Sequence, residues 1–198
     1  MTSVIQRLSA MRYDKDHKDR THRHVLAVAS ERFRRDGFAG VGVASLMKDA
    51  GLTHGGFYGH FRSKQALVEA VISEGLEDTL HHLETAATDI ESLVDFYLRP
   101  EHRENRAQGC AAAALAAEIV REPKRARVAF TRKLARIIAH IRSLLPDRSE
   151  HRAQAIFALL VGTLQLSRAV SDRSLSDQLL QAGRIAVLAL ADSRIEDT

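Results

Sequence analysis

Residues 45–67 read SLMKDAGLTHGGFYGHFRSKQAL, and the reading of this stretch decides the fold. Leu46 and Met47 give a first short helix its apolar side, and small Ala50 lets a second helix cross closely. Gly51 stands where the first helix must end in a left-handed residue, a backbone that glycine takes without strain. Leu52 follows as a plug between the helices, and Thr53 is placed to N-cap the second one through its hydroxyl. Phe57 and Phe61, four apart, share one inward face. His54, Gly55, Tyr58 and Gly59 are left on the other faces, and Ser63-Lys64 opens a third helix. The pattern is a helix-turn-helix. Ala50-Gly51-Leu52-Thr53 alone favours an ordinary helical hairpin with a glycine cap; the run from Gly51 to Lys64 is far more specific.

Charge is unevenly placed along the chain. Residues 1–64 hold 12 Lys+Arg against 6 Asp+Glu, a net of +6, while residues 65–198 hold 17 against 19, a net of −2, together the chain's +4. A basic third on a near-neutral remainder suits a phosphate-binding module joined to a second unit. A pI of 9.5 by itself is compatible with plain surface solubility; the positive excess coincides with the helix-turn-helix.

The 198 residues suffice for a sizeable core in one or two small domains, and 45% hydrophobic with 27% charged residues fits a globular chain. Apolar runs stay well short of the ~18 residues of a membrane span. Residues 1–19 mix charges without an apolar signal core, so a cytoplasmic location is expected. A single cysteine, Cys110, rules out an intramolecular disulfide and fits a reducing compartment.

Sparse Pro and Gly, and helical periods throughout, predict an all-α protein of about nine helices. Residues 1–14 are read as a mobile arm in which Arg7 and Arg12 are free to reach phosphates. A helix over 16–35 carries Val25, Leu26, Ala29 and Phe33 inward, with Arg32, Arg34 and Arg35 suiting its C-terminal dipole and Gly37 stopping it. Ser63 caps a helix running to about residue 86. A capping box at Thr88-Asp89-Ile90-Glu91 opens a helix ending near Pro100. Further helices are expected over 109–121, 124–145, 149–170 and 174–191. The histidines His17, His22 and His24, and the pair His81-His82, lack the Cys or carboxylate partners of a closed zinc site and read as solvent-facing; no metal or cofactor is expected.

Gly37-Phe38, Ala50-Gly51-Leu52-Thr53, Phe57-Tyr58, His60-Phe61 and Ser63-Lys64 with Leu67 resemble the DNA-binding signature of TetR/AcrR-type transcriptional regulators. The match is dense over residues 25–76 and architectural beyond them. The resemblance implies an N-terminal helix-turn-helix domain over 1–64 and a helical effector-binding and dimerisation domain over 65–198. It implies that Thr53, Tyr58, His60 and Lys64 contact operator phosphates while His54, Gly55 and Gly56 approach base edges, contacts that respectively set register and specify sequence. Ser45 joins them as a candidate DNA contact. It further implies a homodimer paired through the helices at about 149–170 and 174–191. Two departures stand out. Val41-Gly42 occupies the place where family members carry a capping Thr or Ser, and Gly59 stands where a bulkier residue is common. With three Gly in the segment, the recognition element is expected to be soft without DNA.

The family's C-terminal part usually holds a pocket for a small effector. Candidate lining residues here are Phe96, Tyr97, Cys110, Leu115, Ile119, Phe130, Leu134 and Phe157, an apolar set that suggests a lipophilic ligand. Cys110 also suggests a thiol sensor of oxidants or electrophiles, since Gly109-Cys110 stands at a helix start with Arg103 and Arg106 nearby in sequence. A small buried apolar role is its plainer reading.

The resulting expectation is a ligand-responsive regulator, a repressor whose homodimer sets two recognition helices in successive major grooves of a pseudo-palindromic operator. A helical enzyme is not supported, because the chain offers no nucleophile–base pair, phosphate loop or metal constellation. A ligand-binding bundle that has lost DNA function remains the other alternative.

Overall fold

The computed structural model describes the backbone of residues 2–193 and the side chains of residues 16–193. Among these residues the chain is all-helical. The order is α1 (Thr2–Gly40), α2 (Val43–Asp49), a 3₁₀ segment (His54–Gly59), α3 (Lys64–Ala86), α4 (Ile90–Tyr97), α5 (Pro100–Glu104), α6 (Ala111–Ile119), α7 (Lys124–Leu144), α8 (Glu150–Ala169) and α9 (Arg173–Asp192). No described helix is long and apolar enough to cross a membrane.

The stripe Val25, Leu26, Ala29 and Phe33 of α1 is buried, as its spacing predicts, and packs with Phe38, Leu46, Met47, Phe57 and Phe61 into the core of the N-terminal end. Gly37 interrupts α1 with φ +77° and ψ +166°, so the regular helix does stop there. Upstream, the backbone of the expected arm is helical from Thr2. The side chains of Arg7 and Arg12 lie outside the described residues.

α3 buries Leu67, Val68, Val71, Ile72, Leu76, Leu80 and Leu83 and runs on from the N-terminal core into the second bundle, where α7 lies along it. The bundle's other extensive seam joins α8 to α9. Side-chain caps start three of these helices: Ser63 accepts from the Ala66 N–H at 3.1 Å, Ser149 from Arg152 and Asp172 from Leu175.

The structure corrects the sequence reading at three boundaries. The capping box belongs to Asp89 and Ser92, one residue later than expected, because the short Ser92 hydroxyl reaches back to the Asp89 N–H where Glu91 does not. Pro100 does not merely end a helix. It opens α5 at the first helical position, where its missing N–H costs nothing. The helix expected over 109–121 is shorter, with Cys110 as its N-cap residue.

Candidate nucleic-acid interface and ligand cavity

The turn is built largely as the sequence dictates. Gly51 has φ +69°, and its N–H closes onto the Lys48 carbonyl at 3.0 Å. Phe57 is fully buried and stacks on Phe61, ring centroids 5.8 Å apart. These two rings hold the following segment against the core and turn its other residues outward. Ser45, Thr53, His54, Gly55 and Gly56 are exposed, and Tyr58 is 65% exposed. Such an aromatic hydroxyl on a solvent face needs an external partner to bury it.

Four details differ from expectation. The recognition element is a 3₁₀ segment rather than an α-helix; three glycines in six residues weaken helix propensity, and so few residues do not repay nucleation. Thr53 occupies the N-cap position, yet its hydroxyl makes no cap bond; its carbonyl accepts from the Gly56 N–H instead, at 3.1 Å. Leu52 is half-buried rather than sealed. Lys64 donates from Nζ to the Phe38 carbonyl at 2.6 Å, which ties the start of α3 to the end of α1. The weak cap of α2 is as read: Gly42 makes no side-chain bond, and Ser45 Oγ donates back to the Gly42 carbonyl at 3.0 Å.

The histidines of α1 are not simply solvated. His24 donates from Nε2 to the Ala50 carbonyl at 3.2 Å, bracing the turn. His22 stacks on Phe61 with centroids 4.5 Å apart and lies 6.1 Å from the His60 ring. Burial first, then the positive neighbours His22, Lys18 and His17, push the half-buried His60 imidazole below its ordinary range. The arginines near the end of α1 also have specific partners. Arg32 bonds Asp36 at 2.8 Å and pairs with Asp49 at the end of α2. Asp36 is held down to about 2, chiefly by hydrogen bonds from Arg35 and Arg32.

A latch joins this end of the molecule to the second bundle. Glu118, near the C-terminus of α6, accepts from the Phe38 N–H at 2.7 Å. Its carboxylate lies against the bare Cα of Gly37, where a Cβ would sit 2.6 Å from one carboxylate oxygen. At the other end of α6, Cys110 forms part of the wall of a half-open cavity of about 310 Å³ lined by α1, α3, α4, α5 and the α5–α6 loop.

The structure brings Phe96, Tyr97 and Cys110 to this cavity and leaves the other expected lining residues elsewhere. Leu115, Ile119 and Phe157 are buried in the general core, and Phe130 and Leu134 are half-buried against it. The walls also carry Arg34, Asp78, Arg99, Glu101 and His102, so the cavity is more polar than the apolar set suggested. His102 is locked in one neutral tautomer. Nδ1–H donates to the Tyr97 carbonyl at 2.7 Å, and Nε2 accepts from the Cys110 N–H at 3.0 Å. Burial holds this imidazole down to about 4. Arg103 does not attend Cys110; it turns to Ser176 at 2.7 Å and Asp177 at 2.6 Å on α9.

Sequence reasoning missed Arg34, His102 and Glu118. Each acts through a partner 8 to 80 residues distant. In sequence Arg34 is one member of an ordinary charged helix end, with no local signal to distinguish it.

Comparison with known proteins agrees with this geometry. Residues 25–71 match the family model described as bacterial regulatory proteins, tetR family. An uncharacterised HTH-type transcriptional regulator of Bacillus subtilis (strain 168), YfiR, is 30% identical over 73 residues; the match spans 37% of this chain and 36% of that protein. The reduced form of Escherichia coli NemR superposes with a TM-score of 0.70 at 22% identity, over 84% of this chain and 94% of that one. FadR of B. subtilis, solved in complex with stearoyl-CoA, superposes with a TM-score of 0.62 at 16% identity, over 87% and 98% of the two chains. At these identities the two structures speak for the fold alone. Over residues 25–71 the chain is thus similar to the tetR family of bacterial regulatory proteins, and the fold around that helix-turn-helix segment is the one these solved regulators share.

Proposed function

We propose that this protein is a transcriptional repressor that binds a pseudo-palindromic operator as a homodimer in the cytoplasm and leaves it when a small effector occupies the cavity beneath α1. The observation that carries the DNA-binding part is the solvent-turned surface of the recognition segment, with Tyr58 65% exposed above two buried phenylalanines. On this reading residues 1–64 form the DNA-binding domain and 65–198 the effector and dimer domain. Ser45, Thr53, Tyr58, His60 and Lys64 meet phosphates, while His54, Gly55 and Gly56 face base edges. Lys64 must then exchange its bond to the Phe38 carbonyl for a phosphate oxygen, or share between them. Gly55 and Gly56 let the backbone approach closely, since a Cβ on Gly55 would meet nothing within 4 Å and leaves room for DNA.

Dimerisation is supported by an unpartnered face on the last two helices. Leu159, Gly162 and Leu166 follow one another at helical spacing along α8, and Ala182, Ile185 and Ala189 do so along α9. Leu166 and Ile185 are each more than half exposed. A second copy of the same face covers such stripes with closely approaching helices. The effector part is supported by α6, which meets the cavity at Cys110 and the end of α1 at Glu118. A ligand that shifts α6 changes the angle of the helix-turn-helix, and by no more than its differential affinity for the two arrangements.

Fluorescence anisotropy on the DNA upstream of the protein's own gene tests the proposal. Expected is tight binding with a steep inverse dependence on salt, weakened tenfold or more by Tyr58→Ala and by Lys64→Ala. Tyr58 is largely exposed and meets only the edges of Phe57 and His54, so Tyr58→Phe, which keeps those ring contacts and removes the hydroxyl, isolates the contact. Salt-insensitive binding, or none to this or to genomic fragments, would leave a ligand-binding bundle as the better account.

A further inference from the structure

We infer that the cavity recognises a small monoanionic carboxylate with an aryl or alkyl body, anchored on Arg34; this rests on the cavity's reading as the effector site. The anchor is a buried cation short of partners. Arg34 is only 8% exposed; one of its terminal nitrogens donates to the Gly109 carbonyl at 3.2 Å, and its Nε has no partner. It makes no ion pair among the described residues. The acids that influence it, Asp78 and Glu31, do so from a distance, and Asp78 is exposed to solvent. An uncompensated buried guanidinium is costly, and a planar fork of donors matches a carboxylate in shape and charge.

Tyr97 supplies a second donor. It is 1% exposed, and its hydroxyl lies beside the Cys110 thiol without an oxygen or nitrogen partner. His102 cannot compete for the anion as a cation, because both ring nitrogens are engaged in its neutral form. The remaining wall suits the ligand's body. Leu83 and the Phe96 ring line the cavity, and the Arg99 guanidinium covers that ring 4.0 Å from its centroid. Asp78 and Glu101 on the same walls disfavour a multiply charged ligand. The volume of about 310 Å³ admits a single-ring or short-chain acid.

The position of Arg34 gives the contact a consequence. It sits on α1, one turn before Gly37 and the Glu118 latch, while Tyr97 belongs to α4 of the second bundle. An anion held by both residues bonds the helix that leads into the helix-turn-helix directly to the effector domain.

Thermal melting and calorimetry on the full chain decide this, with benzoate, phenylacetate and hexanoate as probes, their neutral amides as isosteres and sulfate as a bare anion. Expected is saturable binding of at least one carboxylate, with its amide at least tenfold weaker and sulfate without effect. Arg34→Met should abolish the binding while the helical circular dichroism is kept, and Tyr97→Phe should weaken it severalfold. Should Arg34→Met fail to fold, Arg34→Lys, which keeps the charge and loses the fork, serves in its place with the same expected weakening. An amide binding as tightly as its acid, or unchanged carboxylate binding in the Arg34 variants, overturns the anion assignment while leaving the cavity an effector site. No probe bound at concentrations up to about 10 mM, a free energy weaker than ~3 kcal/mol, overturns both. Neither result bears on operator binding, which is read separately.

Discussion

Replacing Gly37 by alanine should destabilise the protein through two separable effects. The first is backbone strain: φ +77° with ψ +166° is a region essentially reserved for glycine, at a cost of about 1–3 kcal/mol for other residues. The second is steric. The new Cβ would stand 2.6 Å and 3.0 Å from the two carboxylate oxygens of Glu118, so that side chain must swing away. It then gives up its 2.7 Å bond from the Phe38 N–H, a hydrogen bond to a charged group worth about 1.5–3 kcal/mol. Together these amount to about 2.5–6 kcal/mol, a large part of the roughly 5–15 kcal/mol of a typical domain. With a urea slope near 2 kcal/mol/M, a loss of about 4 kcal/mol moves the unfolding midpoint down by about 2 M. Glu118→Ala should cost only the second part, because Gly37 keeps its backbone. The double variant should therefore fall short of the additive loss by about 1.5–3 kcal/mol. Urea denaturation of all four proteins, followed by circular dichroism, measures this cycle. Additive losses, or a Gly37→Ala variant within about 0.5 kcal/mol of the parent, would refute the latch as described.

Two further outcomes are expected. His102 is held neutral with its folded value near 4, against 6.5 when free, so the unfolded chain takes up the proton first. The stability contributed by the neutral ring is complete above pH 6.5 and is lost as pH falls through 6.5 towards 4, by about 3 kcal/mol. Urea midpoints measured down that window should show the loss, and His102→Asn should flatten it; a flat parent profile contradicts the assignment. Ile185→Arg on the outer face of α9 should leave the fold intact and convert the proposed dimer to monomer in sedimentation, since a guanidinium within the proposed apolar helix pairing is left unpaired. An unchanged sedimentation coefficient would remove that face from the interface.

Much of the fold was legible in the chain because the deciding signals are local. Gly51 ends α2 in a left-handed backbone, and Phe57 and Phe61, four apart in sequence, are both buried as read. Ser63 caps α3 through a bond three residues long. The longer helices of the second bundle follow from apolar spacing, with errors at ends where short-range competition decides, as between Glu91 and Ser92 as partner of Asp89; the five-residue α5 is too short to carry a periodic signal and was not legible. Composition could not reveal that the recognition element is 3₁₀ rather than α, because that balance sets glycine-rich propensity against the packing of Phe57.

The ligand side was less legible, for a physical reason. Aliphatic residues such as Leu115 and Phe157 have the same pattern whether they line a cavity or fill a core, so local order cannot sort them. Charged residues on a helix end read as solvated until another element covers them. Arg34 is buried because the loop before α6 folds over it, Lys64 is tied to Phe38 across 26 residues, and Glu118 reaches back 80 residues to the end of α1. The sequence alone thus determined the helix-turn-helix, its aromatic core and the helical class of the rest, all products of contacts within a few turns of chain. Tertiary structure alone decided where the cavity lies, which cation faces it and how α6 links it to the helix-turn-helix end, because those depend on contacts between residues the chain order keeps far apart.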